Sequence, residues 1–145
     1  MRWLIVSLGL LIAQRSLAQS RWSPAPPVFP SGAQIAVVSG NPGMPGRFTA
    51  ELLLPDGYVW PPHVHIADER IEVKRGTLLV GMGDNVDRAT TRAMATGDTA
   101  TTAAGMHHYA IARGTTVIAI TINGPYVITY IHASDEPQRS ASFPF

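Results

Sequence analysis

The chain has 145 residues, with 11 Lys and Arg against 10 Asp and Glu, 5 His, a formal net charge of +1 and 46% hydrophobic residues. This length suits one well-cored domain and is short for two of ordinary size, and the near-neutral balance offers no basic footprint to nucleic acid or an anionic membrane, so both are excluded as partners. No cysteine occurs, which excludes disulfides, a thiol nucleophile and a lipid-modified cysteine.

In chain order, "MRWLIVSLGLLIAQRSLAQS" places one cation at Arg2 before an apolar run from Trp3 to Ala13 and a small-residue site at Ser16, Leu17 and Ala18. The pattern predicts a secretory signal peptide over 1–18, too short in its apolar part to span a bilayer as a helix. Without Arg2 and Arg15 the mature chain holds nine basic and ten acidic residues, a net charge near −1. The expectation is an exported protein, periplasmic or secreted, with no membrane association after cleavage.

Residues 19–33 include "RWSPAPPVFPSG", whose prolines disfavour helix and central strand and predict an extended tether, with Trp22 and Phe29 the residues available to lay it against the domain, a point the sequence leaves open. From Gln34 to Ala133 short strands alternate with Gly, Pro and Asn/Asp turns: "QIAVVS", "RFTAELLL", "YVW", "RIEVK", "TLLVGM", "TTVIAITI" and "YVITYI". "RATTRAMAT" is the one stretch with a helical tendency, and its three threonines weaken it. The pattern predicts an all-β sandwich or barrel over 34–133, followed by a polar tail over 134–145. "GMGDNVD" lacks the spacing and distal glutamate of a calcium loop, and "SGNPGMPG" lacks the lysine and following helix of a phosphate-binding loop.

The chemistry concentrates in "GYVWPPHVHIADERIEVKRG", residues 57–76. On a strand, His63 and His65 at i and i+2 share a face, so their imidazoles converge. Pro61 and Pro62 lack ladder donors and place the pair near a strand end or edge. In "DERIEVK" the apolar Ile71 and Val73 share their face with Glu69, while Arg70, Glu72 and Lys74 fall on the solvent side. A carboxylate on an apolar inner face is costly unless paired or metal-bound, so Glu69 is the acid expected to join the histidines.

The spacing Gly57, His63, His65, Glu69, Gly76 reproduces the first motif of the cupin superfamily, G(X)5HXH(X)3E(X)6G, and the chain resembles that superfamily over roughly residues 34–132. The second cupin motif, G(X)5PXG(X)2H(X)3N, lies over "GDTATTAAGMHHYAIA". There Gly97, Gly105 and His108 match, while Ala103 and Ala112 replace the proline and asparagine. In finer detail "GYVWPPHVH", "GTLLVGMGD" and "NGPYVITYI" are similar to small exported bacterial cupins.

The resemblance implies a double-stranded β-helix, or jelly-roll barrel, with a metal held by His63, His65, Glu69 and His108. Alternation alone prefers His107, which shares a face with the bulky Tyr109 and Ile111; the motif spacing selects His108. His132 reads as a surface histidine. Three imidazoles and a carboxylate suit iron, manganese, zinc, nickel or copper. The resemblance further implies open coordination positions for a small-molecule ligand or substrate, and a homodimer. Phe48, Leu52, Met82, Tyr109, Ile118, Ile120 and Tyr130 are expected to line or pack the barrel. The functional expectation is a metal-dependent oxygenase, isomerase or decarboxylase acting on a small enolic or aromatic compound, the alternative being a non-catalytic small-molecule or metal binding module.

Overall fold

The computed structural model describes residues 21–137, so the expected signal peptide and residues 138–145 lie outside the described residues. Nine strands follow one another: β1 (Ser23–Pro24), β2 (Gln34–Ser39), β3 (Gly46–Leu54), β4 (Val59–Val64), β5 (Glu69–Met82), β6 (Arg92–Ala95), β7 (Thr99–Thr102), β8 (His108–Gly124) and β9 (Thr129–Tyr130). All pair antiparallel in one sheet. No helix among the described residues is long and apolar enough to cross a membrane.

Two long strands give the sheet its shape. The second half of β8 pairs with β3 and with the first half of β5, as in Ile120↔Ala50 and Ile120↔Ile71. Its first half pairs with β4 and with the second half of β5, as in Ala110↔Trp60 and Ala110↔Val80. The register of β5 against β8 shifts around Arg75–Thr77, where Gly76 has φ +82° and a Cβ would meet the Thr115 carbonyl oxygen at 2.6 Å. Only glycine fits that turn without strain. The sheet thus doubles over into two faces, with "RIEVK" and "TLLVGM" joined as one bent strand instead of the two expected. This is the jelly-roll architecture.

Between the two faces lies the core. Phe48, Leu52, Leu54, Ile71, Val73, Ile118 and Ile120 come from one side, and Trp60, Leu78, Met94, Ala110 and Ala112 from the other. The alternation read from "DERIEVK" holds, for Glu69, Ile71 and Val73 are buried while Arg70, Glu72 and Lys74 reach solvent. Arg70 and Lys74 both hydrogen-bond Glu72 on that outer face.

Two local expectations change, and one left open is filled in. "RATTRAMAT" forms a single 3-10 turn at Arg88–Thr90, with Asp87 as its cap, and then strand β6, because the residues after Thr91 find partners on β5. "YVITYI" contributes only Thr129 and Tyr130 to the sheet, since Tyr126 instead turns its backbone N–H to the Pro42 carbonyl. The proline-rich segment packs on the barrel: β1 pairs with β2, Phe29 is 3% exposed in the core, and the hydroxyls of Tyr58 and Tyr130 donate to the carbonyls of Pro30 and Val28. A proline-rich segment is poor in N–H donors but keeps its carbonyl acceptors, and the tyrosines use two of them.

Phe29→Ala is therefore expected to cost about 3–5 kcal/mol of stability, the usual range for deleting a buried aromatic ring. Denaturant unfolding of the purified variant checks this; a loss below about 1 kcal/mol would mean that the segment is dispensable to the core.

Candidate metal centre

His63 ends the well-paired part of β4, where it lies opposite His108 on β8 and Tyr130 on β9. Pro61 and Pro62 sit at a register shift between Trp60 and His63, so the missing donors fall where the ladder is already irregular. His65 follows one residue after the strand, and the peptide carbonyl of His65 accepts the N–H of Gly105. Glu69 opens β5 on the other face of the folded sheet, in register with Thr102. Three imidazoles from one face and a carboxylate from the other meet, and their ligating atoms lie within 4.8 Å of one another. All four residues are buried.

Each imidazole is tied from behind. His63 Nδ1 lies 2.6 Å from the Pro61 carbonyl oxygen, His65 Nδ1 2.8 Å from that of Val127, and His108 Nδ1 3.0 Å from that of Met106. A carbonyl only accepts, so each Nδ1 carries the proton and donates, which leaves the lone pair of the neutral ring on Nε2. Inside the cluster His63 Nε2 has no hydrogen-bond partner. His65 Nε2 approaches Glu69 Oε1 at 3.4 Å without hydrogen-bond geometry, and His108 Nε2 lies 3.3 Å from Glu69 Oε2. A buried, partnerless nitrogen lone pair is expensive, and here it faces two other imidazoles and a carboxylate. The donor set and the orphaned nitrogen together fit a divalent transition metal.

Charges in the cluster are coupled. Burial pushes Glu69 up, but the charge of His65, the hydrogen bond with His108 and the close approach of the His65 ring outweigh it and hold the carboxyl well below 4.5. Burial likewise opposes protonation of His65, yet Glu69 overcomes it and raises the imidazole above 6.5. At His63 burial, reinforced by the charges of His108 and His65, pushes the value well below 6.5. Glu69 and His65 are thus shifted toward their charged forms and His63 toward its neutral one.

Around the donors stands an aromatic wall. Trp60 stacks on His63 with centroids 4.5 Å apart and planes at 14°, and Tyr126 stacks on His65 at 5.1 Å and 25°. Phe29 lies 5.2 Å from Trp60 and 6.0 Å from Tyr126, backing both. The Tyr126 hydroxyl donates to Glu69 Oε1 at 3.1 Å. Trp60, Tyr126 and Phe29 were not among the expected wall residues. A tryptophan three positions before His63 was the only local signal, since the ring contacts of Phe29 and Tyr126 span the whole chain.

Of the expected wall residues, Phe48, Leu52, Ile118 and Ile120 are core. Tyr130 shares its face with His63 through their register, with ring centroids 6.1 Å apart. Tyr109 faces the other way: its ring fills the space over Gly81, where a Cβ would come within 2.0 Å of it, and its hydroxyl donates to the Asp87 carbonyl. Met82 is 49% exposed, because β5 ends there opposite His108 and nothing follows to cover it.

The geometry also separates the adjacent histidines. His108 is buried in the cluster on the face of Ala110 and Ala112, and these small side chains leave room for Trp60 opposite. His107 is half-buried, outside the cluster, and donates from Nδ1 to Asp84. The bulky face of Tyr109 and Ile111 is buried too, on the outer side of the sheet, so alternation alone does not separate the two histidines. His132 is exposed, with Nε2 donating to the Asp84 carbonyl at 2.6 Å.

Two continuous faces doubled on a pair of long bent strands, with this cluster between them, match known structures. The fold is the cupin jelly roll. A cupin 2 domain-containing protein from Halorhodospira halophila superposes with TM-score 0.59 at 18% identity, covering 72% of this chain and 73% of that one. An acetylacetone dioxygenase from Acinetobacter johnsonii gives 0.62 at 14% identity, covering 94% and 85%. The polyketide cyclase RemF from Streptomyces resistomycificus gives 0.60 at 17% identity, covering 72% and 75%. No protein-family model matches the chain, and no curated protein matches it by sequence.

Two outcomes are expected at this site. His108→Ala abolishes stoichiometric metal uptake whereas His107→Ala retains it, as read by elemental mass spectrometry of protein purified without chelator; the reverse pattern would assign the ligand to His107. Metal affinity of the stripped protein falls as pH drops through the raised value of His65, by up to about tenfold per unit, because metal and proton compete there. Glu69 does not compete above 4.5, being ionised already. Calorimetric titrations across about pH 6 to 8 check this; an affinity independent of pH would remove His65 from the ligand set.

Proposed function

We propose that the protein is an exported metal-dependent enzyme acting on a small enolic or aromatic compound, with oxygenase chemistry ahead of isomerisation or decarboxylation. The observation that carries the reading is the converging Nε2 set, locked from behind by three backbone carbonyls and joined by Glu69. His63, His65, Glu69 and His108 would hold iron, manganese, zinc, nickel or copper. When bound, such an ion supplies Lewis-acid polarisation of a substrate oxygen and, if redox-active, dioxygen chemistry.

The chain's own residues supply the rest. Trp60, Tyr126 and Phe29 exclude water behind the imidazoles, and Glu69, already ionised, serves as a ligand and not as a general base. Ile66, Met106 and Val127 are exposed, and each is tied to a ligand: Ile66 follows His65, the Met106 carbonyl holds His108, and the Val127 carbonyl holds His65. With the half-exposed Met82 opposite His108, these side chains form an apolar rim suited to an enolised diketone or an aromatic ring more than to a polyhydroxylated sugar. Likeness to an acetylacetone dioxygenase and a polyketide cyclase supports the same substrate class. Export rests on the leader-like residues 1–18. A homodimer through the sheet edge is supported by Val37 and Val38, which are 45% and 57% exposed on β2 beyond its pairing with β1.

The complete burial of His63 and Glu69 favours a second reading, a binding module that captures a ligand without turning it over. Oxygen consumption by metal-loaded protein separates the two across a panel of 1,3-diketones and catechols. The enzyme reading expects substrate-dependent uptake, lost to background in Glu69→Ala and His65→Ala. Ligand-induced thermal shifts without oxygen uptake or product would favour the module.

A further inference from the structure

The ligand set leaves one question of geometry open, namely which oxygen of Glu69 serves the metal. Oε2 lies 3.3 Å from His108 Nε2, and Oε1 lies 3.4 Å from His65 Nε2, so the carboxylate faces both rings about equally. A free carboxylate between such donors can bind through one oxygen or through both, and the second mode occupies a position that a substrate would otherwise take. Among the described residues, only one of the two oxygens receives a hydroxyl: the Tyr126 O–H donates to Oε1 at 3.1 Å.

That tyrosine has little freedom. It is 5% exposed, its ring stacks on His65 and meets Phe48 edge-on at 5.6 Å, and its backbone N–H is fixed on the Pro42 carbonyl at 2.7 Å. Just before it, Gly124 has no room for a side chain, since a Cβ there would meet the Met44 carbonyl oxygen at 2.3 Å. The hydroxyl is therefore delivered by a rigid turn from a part of the chain 57 residues away from Glu69.

We propose that Tyr126 is a positioning residue that holds Oε1 of Glu69 through its hydroxyl, presents Oε2 as the metal donor, and so keeps a coordination position open for substrate. The inference rests on the metal reading above. A partner in the second layer around a ligand typically changes metal affinity by about 10–100-fold when removed. Tyr126→Phe keeps the ring contacts with His65 and Phe48 and deletes only the O–H.

The experiment loads wild type, Tyr126→Phe and Tyr58→Phe with cobalt(II), recording binding isotherms and visible absorption. Tyr58→Phe is the control, since it removes another buried hydroxyl, bonded to the Pro30 carbonyl, from the same aromatic cluster without touching Glu69. The expected result is a roughly 10–100-fold weaker isotherm and an altered cobalt spectrum in Tyr126→Phe, with the Tyr58→Phe spectrum as wild type. A Tyr126→Phe spectrum and affinity matching wild type overturn the proposal while leaving the metal reading intact; wild type that takes up no cobalt overturns both. Should Tyr126→Phe fail to fold, the wild-type Tyr126 hydroxyl proton is followed by NMR during zinc titration: a shift on loading supports the proposal, and an unmoved resonance overturns it.

Discussion

A carboxylate with no exposure to solvent must find positive charge or hydrogen-bond donors within bonding distance, and around Glu69 the groups in reach are imidazoles and one phenol. That requirement organises the interior. It draws His65 toward its charged form, leaves His63 neutral, and makes the cluster a place where a proton and a metal compete for the same lone pairs. The surrounding apolar core raises the cost of leaving Glu69 uncompensated, so the sheets that bury it and the rings that answer it depend on one another.

The imidazoles are prepared before any metal arrives. For His63 and His108 the carbonyl that fixes the ring comes from two residues earlier in the chain, so the local backbone sets the tautomer. For His65 it comes from Val127, next to the tyrosine that holds Glu69. The turn at 124–127 thus orients one candidate donor through its backbone and another through a side chain, a preorganisation that would lower the ordering cost of filling the site.

How much of this was legible in the residues follows from the range of each interaction. Strand alternation is local, so the inward set Glu69, Ile71 and Val73 and the convergence of His63 with His65 could be read directly. The spacing of two short motifs supplied the fold and His108. Alternation failed at His107 and His108 because both faces of the first half of β8 are buried, and a pattern that distinguishes core from solvent carries no information there. Joining "RIEVK" to "TLLVGM" required knowing that a positive-φ glycine can bend a strand without ending it. The aromatic wall was illegible for a different reason: Phe29, Trp60 and Tyr126 come from three separated segments, and a proline-rich stretch offers Phe29 as a contact to the domain without showing where it docks.

The two faces of the folded sheet contribute unequally to the cluster, with the histidines on one and the glutamate on the other. In a chain without cysteine, a coordinated ion at this point would add a tie between the layers beside the backbone of the two long strands, spanning the 39 positions from Glu69 to His108. Unlike a disulfide, which persists in the unfolded chain, it would act by binding the folded state alone, with a strength set by how much metal its surroundings supply and not by their redox state.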